Sequence, residues 1–127
     1  MKYWMTLWLV LATGAMAGPR NQGTPGEFDF YVLSLSWSPS FCLTHPDNEQ
    51  CSGKGYGFVL HGLWPQYARG GWPASCAPQS ALSREEMDKG AALFPTRALL
   101  KHEWAKHGTC SGLEPLAYLE KTDAALG

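Results

Sequence analysis

Apolar and polar residues alternate most clearly toward the end of the chain's first third. Phe30-Tyr31-Val32-Leu33 is a short apolar run, and Leu33, Leu35 and Trp37 then alternate with Ser34 and Ser36. That period of two predicts a strand over residues 28–37, closed by Ser38-Pro39-Ser40. Residues 43–56 are polar and turn-rich and predict a loop. A second short strand is expected over residues 56–61, centred on Phe58, Val59 and Leu60, with His61 at its end. Residues 65–80 hold three prolines and two glycines and predict irregular backbone. Ser83 followed three residues later by Glu86 is the capping-box arrangement, so a helix of about ten residues should start there and close near Pro95. A second helix is predicted from Thr96 to His107 with Gly108 near its C-terminus, and a third over residues 115–121. With no internal repeat or linker, these elements make one α+β domain.

The first 17 residues carry processing information. Lys2 is followed by an uncharged, mostly apolar run over residues 3–12, and Ala15-Met16-Ala17 offers small residues where a signal peptidase reads. The pattern predicts a secretory signal peptide cut before Gly18. The competing reading, a retained anchor, is opposed by length, since a span needs roughly 20 apolar residues. Residues 18–27, rich in Gly, Pro, Asn and Gln, read as a flexible leader to a domain over 28–127. Cleavage leaves nine Lys and Arg against eleven Asp and Glu, a formal charge of −2. Such a balance argues against a generic nucleic-acid binder with a broad basic surface. A polyanion would have to be gripped locally, where Arg97, Lys101 and Lys106 gather with His102 and His107.

All four cysteines, Cys42, Cys51, Cys76 and Cys110, lie in the exported part. An even number in an oxidising compartment predicts two disulfides. Three connectivities are possible, and the one expected here joins Cys42 to Cys51 and Cys76 to Cys110. A zinc centre is disfavoured because no Cys-x-x-Cys pair exists.

Candidate chemistry lies in two histidine segments. On a helix at about 100° per residue, His102, Lys106, Glu103 and His107 fall at about 0°, 40°, 100° and 140°, while Trp104 and Ala105 lie outside that arc. One face thus presents two imidazoles, a carboxylate and an ammonium, with Glu103 and Lys106 spaced to pair. A solvated polar face is the plainer alternative. The zinc-protease pattern fails, because it places its second histidine four residues after the first, whereas His102 and His107 are five apart. His61 precedes Gly62 and the stiff exit Leu63-Trp64-Pro65. Such a histidine could be structural, or could face a cleft with Trp64 as a wall.

Taken together, His61-Gly62-Leu63-Trp64-Pro65 and Lys101-His102-Glu103-Trp104-Ala105-Lys106-His107-Gly108-Thr109-Cys110 resemble the two active-site segments of the T2 ribonucleases. The strand ending Leu35-Ser36-Trp37-Ser38-Pro39 before Cys42 is similar to the family's opening strand, and the resemblance covers residues 28–120. It implies a central antiparallel sheet packed with helices, incomplete at the C-terminal side because members of the family are longer. It also agrees with the Cys76–Cys110 pairing. The activity implied is endonucleolytic cleavage of single-stranded RNA without metal or cofactor, through a 2′,3′-cyclic phosphate. His107 would be the base and His61 the acid. Glu103 and Lys106 would bind and polarise the phosphate, and His102 would hold it. Trp64 and Trp72 are candidate base-stacking walls, with core packing as the alternative for both. DNA, lacking the 2′-hydroxyl nucleophile, would be refused. The expected protein is monomeric, exported to periplasm or medium, and free of the membrane once the signal is removed. The competing class is a catalytically silent product, either truncated or a secreted RNA-binding or inhibitory protein on the same fold.

Overall fold

A computed structural model describes residues 23–77 and 80–127. The expected signal peptide and the first part of the leader lie outside these residues. The leader's end is tied to the domain, with Gly26 N–H donating to the Cys110 carbonyl at 3.0 Å.

Two strands, β1 (Phe30–Trp37) and β2 (Phe58–Gln66), pair antiparallel into a two-stranded sheet. The described residues also form four helices: α1 (Ser38–Thr44) between the two strands, then α2 (Arg84–Ala91), α3 (Arg97–Lys106) and α4 (Pro115–Leu126) after them. Short 3-10 turns cover Glu49–Cys51 and Gly108–Cys110. The class is α+β, as the hydrophobic pattern predicts.

β2 differs from expectation in a way that matters for the site. It runs on through Gly62, Trp64 and Pro65 to Gln66, so His61 lies inside the strand and not at its end. Ser34 pairs with Gly62 and the next residue, Leu35, with Leu60, which leaves His61 as the extra residue of a β-bulge. A bulge re-aims side chains and bends its strand, which is how a histidine within a pleated ladder can face a cavity. Pro65 is tolerated in β2 although it can donate no ladder hydrogen bond.

α1 is the element the sequence concealed. Ser38-Pro39-Ser40 ends β1 by starting a helix, Pro39 standing in its first turn where a missing N–H costs nothing. α2 is shorter than expected at eight residues, but its capping box is complete: Glu86 N–H donates to Ser83 Oγ at 3.2 Å, and Ser83 N–H to Glu86 Oε2 at 2.6 Å. Thr96 caps α3 by accepting from Leu99 N–H at 3.0 Å.

The core is Leu60 and Leu63 from β2, Met87, Phe94, Leu100 and Trp104 from the α2–α3 region, and Tyr118 and Leu119 from α4. Tyr118 is fully buried, and its hydroxyl donates to the Leu63 carbonyl at 2.8 Å. Gly108 serves packing and not a left-handed cap. A Cβ there would come within 2.3 Å of Trp104 and 3.1 Å of Tyr118. The disulfides join Cys42 to Cys51 and Cys76 to Cys110, as expected. The second ties the turn after α3 to the irregular segment after β2, and Ser75 N–H donates to the Lys106 carbonyl at 2.8 Å beside it.

Candidate active site

A cavity of about 310 Å³ opens between β2 and the C-terminal half of α3, lined by His61, Trp64, Gln66, Trp72, His102, Glu103, Lys106 and His107. Every candidate site residue from the two histidine segments is brought to it, together with Trp72. Gln66 was not singled out. Its signal was present in the pattern, because Trp64 and Gln66 are two apart and share a sheet face, but the strand was expected to have ended before them.

Glu103 is the centre of the arrangement. Its side chain is 1% exposed. Trp64 Nε1–H donates to Glu103 Oε2 at 2.7 Å. His61 Nε2 lies 3.2 Å from Oε1, and His107 Nε2 lies 3.9 Å from Oε2. The carboxyl group therefore stands between the two imidazoles, each oxygen addressed to a different ring. Such an approach needs Gly62. A Cβ at that position would come within 2.3 Å of Glu103 Oε2 and 2.5 Å of Trp64 Nε1.

The expected Glu103–Lys106 ion pair is not among the ion pairs of the described residues. Their helical separation is right, but Glu103 points into the protein while Lys106 is half-buried at the cavity wall. The carboxyl group is claimed by Trp64 and His61 instead. Nor is the polar arc of α3 a solvated face: Glu103 and His107 are buried, and only His102 is exposed. Trp64 is likewise more than a wall, since its ring stacks on His107 at 5.2 Å between centroids and meets His61 edge-on at 5.5 Å. Trp72, half-exposed, presents its ring freely at the rim.

Burial sets the protonation of the site. It pushes the Glu103 carboxyl up to about 7, against the pull of the Trp64 hydrogen bond and of the Lys106 charge. His107 is driven down to about 4, first by burial and then by Lys106, His102 and His61. Its Nδ1 is buried with no hydrogen-bond partner among the described residues, so nothing there offsets the cost of a charged ring. His61, with its side chain 42% exposed, is lowered by burial and by the same cationic neighbours, His102 and Lys106. The arrangement therefore offers a neutral, sequestered imidazole and a solvent-accessible one, flanking a carboxyl group that titrates near neutrality.

Comparison with known proteins agrees with this geometry. Residues 28–124 match the model of the ribonuclease T2 family. A ribonuclease from Aeromonas hydrophila is 49% identical over 113 residues, covering 84% of this chain and 49% of the relative. Intracellular ribonuclease LX of Solanum lycopersicum is 36% identical, covering 76% of this chain and 47% of its own. Among solved structures, RNase NT in complex with 5′-AMP superposes with a TM-score of 0.64 at 31% identity, covering 78% of this chain and 56% of that one. The chain spans about half the length of the curated relatives it matches. The two active-site segments, the α+β architecture and the family match coincide, and the chain belongs to the ribonuclease T2 family.

Proposed function

We propose that the protein is an endoribonuclease that cuts single-stranded RNA by metal-independent acid–base transphosphorylation. The observation that carries this reading is the placement of two imidazoles, His61 and His107, on either side of Glu103 in one cavity walled by tryptophans. RNA brings its own nucleophile, the ribose 2′-hydroxyl. Cleavage needs a base for that proton, an acid for the departing 5′-oxygen, and positive charge near the pentacoordinate phosphorus.

His107, kept neutral by burial, suits the base. It takes the 2′-hydroxyl proton as the 2′-oxygen attacks phosphorus. His61, the more accessible ring, suits the acid and protonates the 5′-oxygen as the P–O5′ bond breaks. The lowered pKa of free His61 does not oppose this. A phosphodiester anion entering the cavity counters Lys106 and His102, whose charges contribute to the lowering. Lys106 and His102 bind the phosphate. A protonated Glu103 can donate to a non-bridging oxygen, which an ionised one could not. The product is a 2′,3′-cyclic phosphate, open to later hydrolysis to the 3′-phosphate. Trp72 offers a free ring for base stacking, which tolerates any sequence because every base has a π-face. RNase NT, the solved relative, is bound to 5′-AMP, in keeping with a nucleotide-sized cavity here. Two disulfides fit an oxidising compartment, the periplasm or the medium, reached by way of the signal peptide.

Purified protein incubated with polyribonucleotide and EDTA at mildly acid pH should release cyclic phosphates, and His61→Ala and His107→Ala variants should not. Failure of the well-folded native chain to cut RNA would overturn the reading.

A further inference from the structure

We infer that the sheet face beside the cavity carries an additional nucleotide subsite, in which Phe30 and Val32 of β1 receive the base of a third nucleotide, one that flanks the dinucleotide whose scissile phosphate lies in the cavity. The inference rests on the ribonuclease reading and specifies the substrate as an extended strand longer than a dinucleotide.

Val32 lies directly opposite Trp64, and Phe30 directly opposite Gln66. Residues opposite one another in an antiparallel pair point to the same face, with Cβ atoms about 4.5–5.5 Å apart. Trp64 and Gln66 line the cavity, so Val32 and Phe30 extend its wall sideways across the sheet. The other face of the same strand is spoken for: Tyr31 and Leu33 pack against the core. Phe30 is 47% exposed and Val32 37%, although a solvent-facing strand position ordinarily holds a polar residue.

The surroundings suit an anionic strand with apolar bases. Arg69, exposed just past the end of β2, stacks over the Tyr67 ring with its guanidinium carbon 4.5 Å from the centroid. The one carboxylate adjoining Phe30, Asp29, is turned into the same bend, where its Oδ2 accepts from Ala68 N–H at 2.7 Å. Apolar side chains flanking a nucleotide-sized cavity, with a cation at the adjoining bend, match the way non-specific single-strand grooves hold successive bases. The ledge therefore favours RNA over a protein partner, because its apolar residues run on from the nucleotide cavity.

The test compares kcat/KM of the native full chain on a dinucleotide and on the same dinucleotide extended by one nucleotide at its 5′ or its 3′ end. Extension at one end should raise kcat/KM about fivefold or more, since stacking of one base is worth at least that factor. The gain should fall to near unity in Phe30→Ser, persist in Phe30→Trp, and shrink in Val32→Thr, a shape-conserving change that keeps the strand. Equal kcat/KM for all three substrates in the native protein would overturn the subsite. So would an undiminished gain in folded Phe30→Ser and Val32→Thr. Absence of any cleavage by the native protein would instead overturn the ribonuclease reading itself, which separates the two failures.

Discussion

The indole N–H of Trp64 donates to the buried carboxyl group of Glu103 at 2.7 Å, joining the two histidine segments by a hydrogen bond between residues 39 apart in sequence. That bond holds Glu103 between His61 and His107 and pulls its pKa down against the effect of burial. Replacing Trp64 by Phe keeps a ring against His107 but removes the donor. Carboxyl-selective NMR titration should show Glu103 titrating above its native value of about 7. Loss of a partner to a buried group should lower stability by about 1–3 kcal/mol in chemical denaturation.

Gly62→Ala tests the close approach directly. The new methyl cannot coexist with Glu103 Oε2 and Trp64 Nε1 where they stand. Both contacts come from side chains in a tight, buried setting, so relief requires displacing the carboxyl group itself. Overpacking of this kind costs about 1–3 kcal/mol. RNA cleavage should fall at least tenfold, mainly in kcat, while the circular dichroism of the fold survives. Native activity in a folded Gly62→Ala protein would show that the Glu103 placement is dispensable.

Stability should depend on pH through two opposing groups. Glu103 is raised from 4.5 to about 7, so the folded state holds more protons than the unfolded chain across that window. Its contribution is fully present below about 4.5 and is lost as pH rises toward 7. His107 is lowered from 6.5 to about 4, so its contribution is present above about 6.5 and is lost as pH falls toward 4. Between pH 4.5 and 6.5 the two nearly cancel in the native protein. His61, also lowered, acts in the same sense as His107, and Glu103→Gln leaves both histidines unopposed. Urea midpoints measured from pH 7 down to 4.5 should therefore fall for the variant while the native values change little. A gap between native and variant that stays constant with pH would contradict the assignment.

The two disulfides should differ in functional weight. Cys76–Cys110 closes a separation of 34 residues and anchors the turn that follows His107, whereas Cys42–Cys51 closes a separation of 9 residues. Loop-closure arguments give about 4 kcal/mol for the longer loop and about 3 kcal/mol for the shorter. Replacing Cys76 and Cys110 together by Ala should cost more stability and more RNA cleavage than replacing Cys42 and Cys51. Thermal midpoints and initial rates on the same samples decide this.

Tyr118 links α4 to the site from behind. Tyr118→Phe preserves the ring packed near Trp104 and strands the Leu63 carbonyl. A loss of about 1–3 kcal/mol is expected, read as a lower denaturation midpoint.

Several of these features were legible before any coordinates. The Ser83–Glu86 capping box, the α3 limits near Thr96 and His107, and the grouping of His102, Glu103, Lys106 and His107 on one arc follow from local rules of spacing and hydrogen bonding. They depend on residues within one or two turns of each other, and short-range chemistry is what a sequence writes down. The disulfide pairing was one choice among three, and the two histidine segments carried the family resemblance.

Other features were not legible. α1 hid behind a Pro that reads equally as a strand terminator and a helix first turn. β2 ran past His61 because pairing with β1 stabilises Gly62, Trp64 and Pro65 in an extended ladder that neither Gly nor Pro favours alone. Glu103 and Lys106 carry the right spacing for an ion pair, yet burial beside Trp64 gave the carboxyl group a different partner. Local patterns along the chain were enough for β1, the three later helices, the inventory of reactive groups and the family. Tertiary structure alone decided that His61 sits in a bulge, that Glu103 stands between two histidines, and that its proton affinity is shifted toward neutrality. The reason is physical: those properties depend on desolvation and on contacts across some forty residues, and neither quantity exists until the chain has folded.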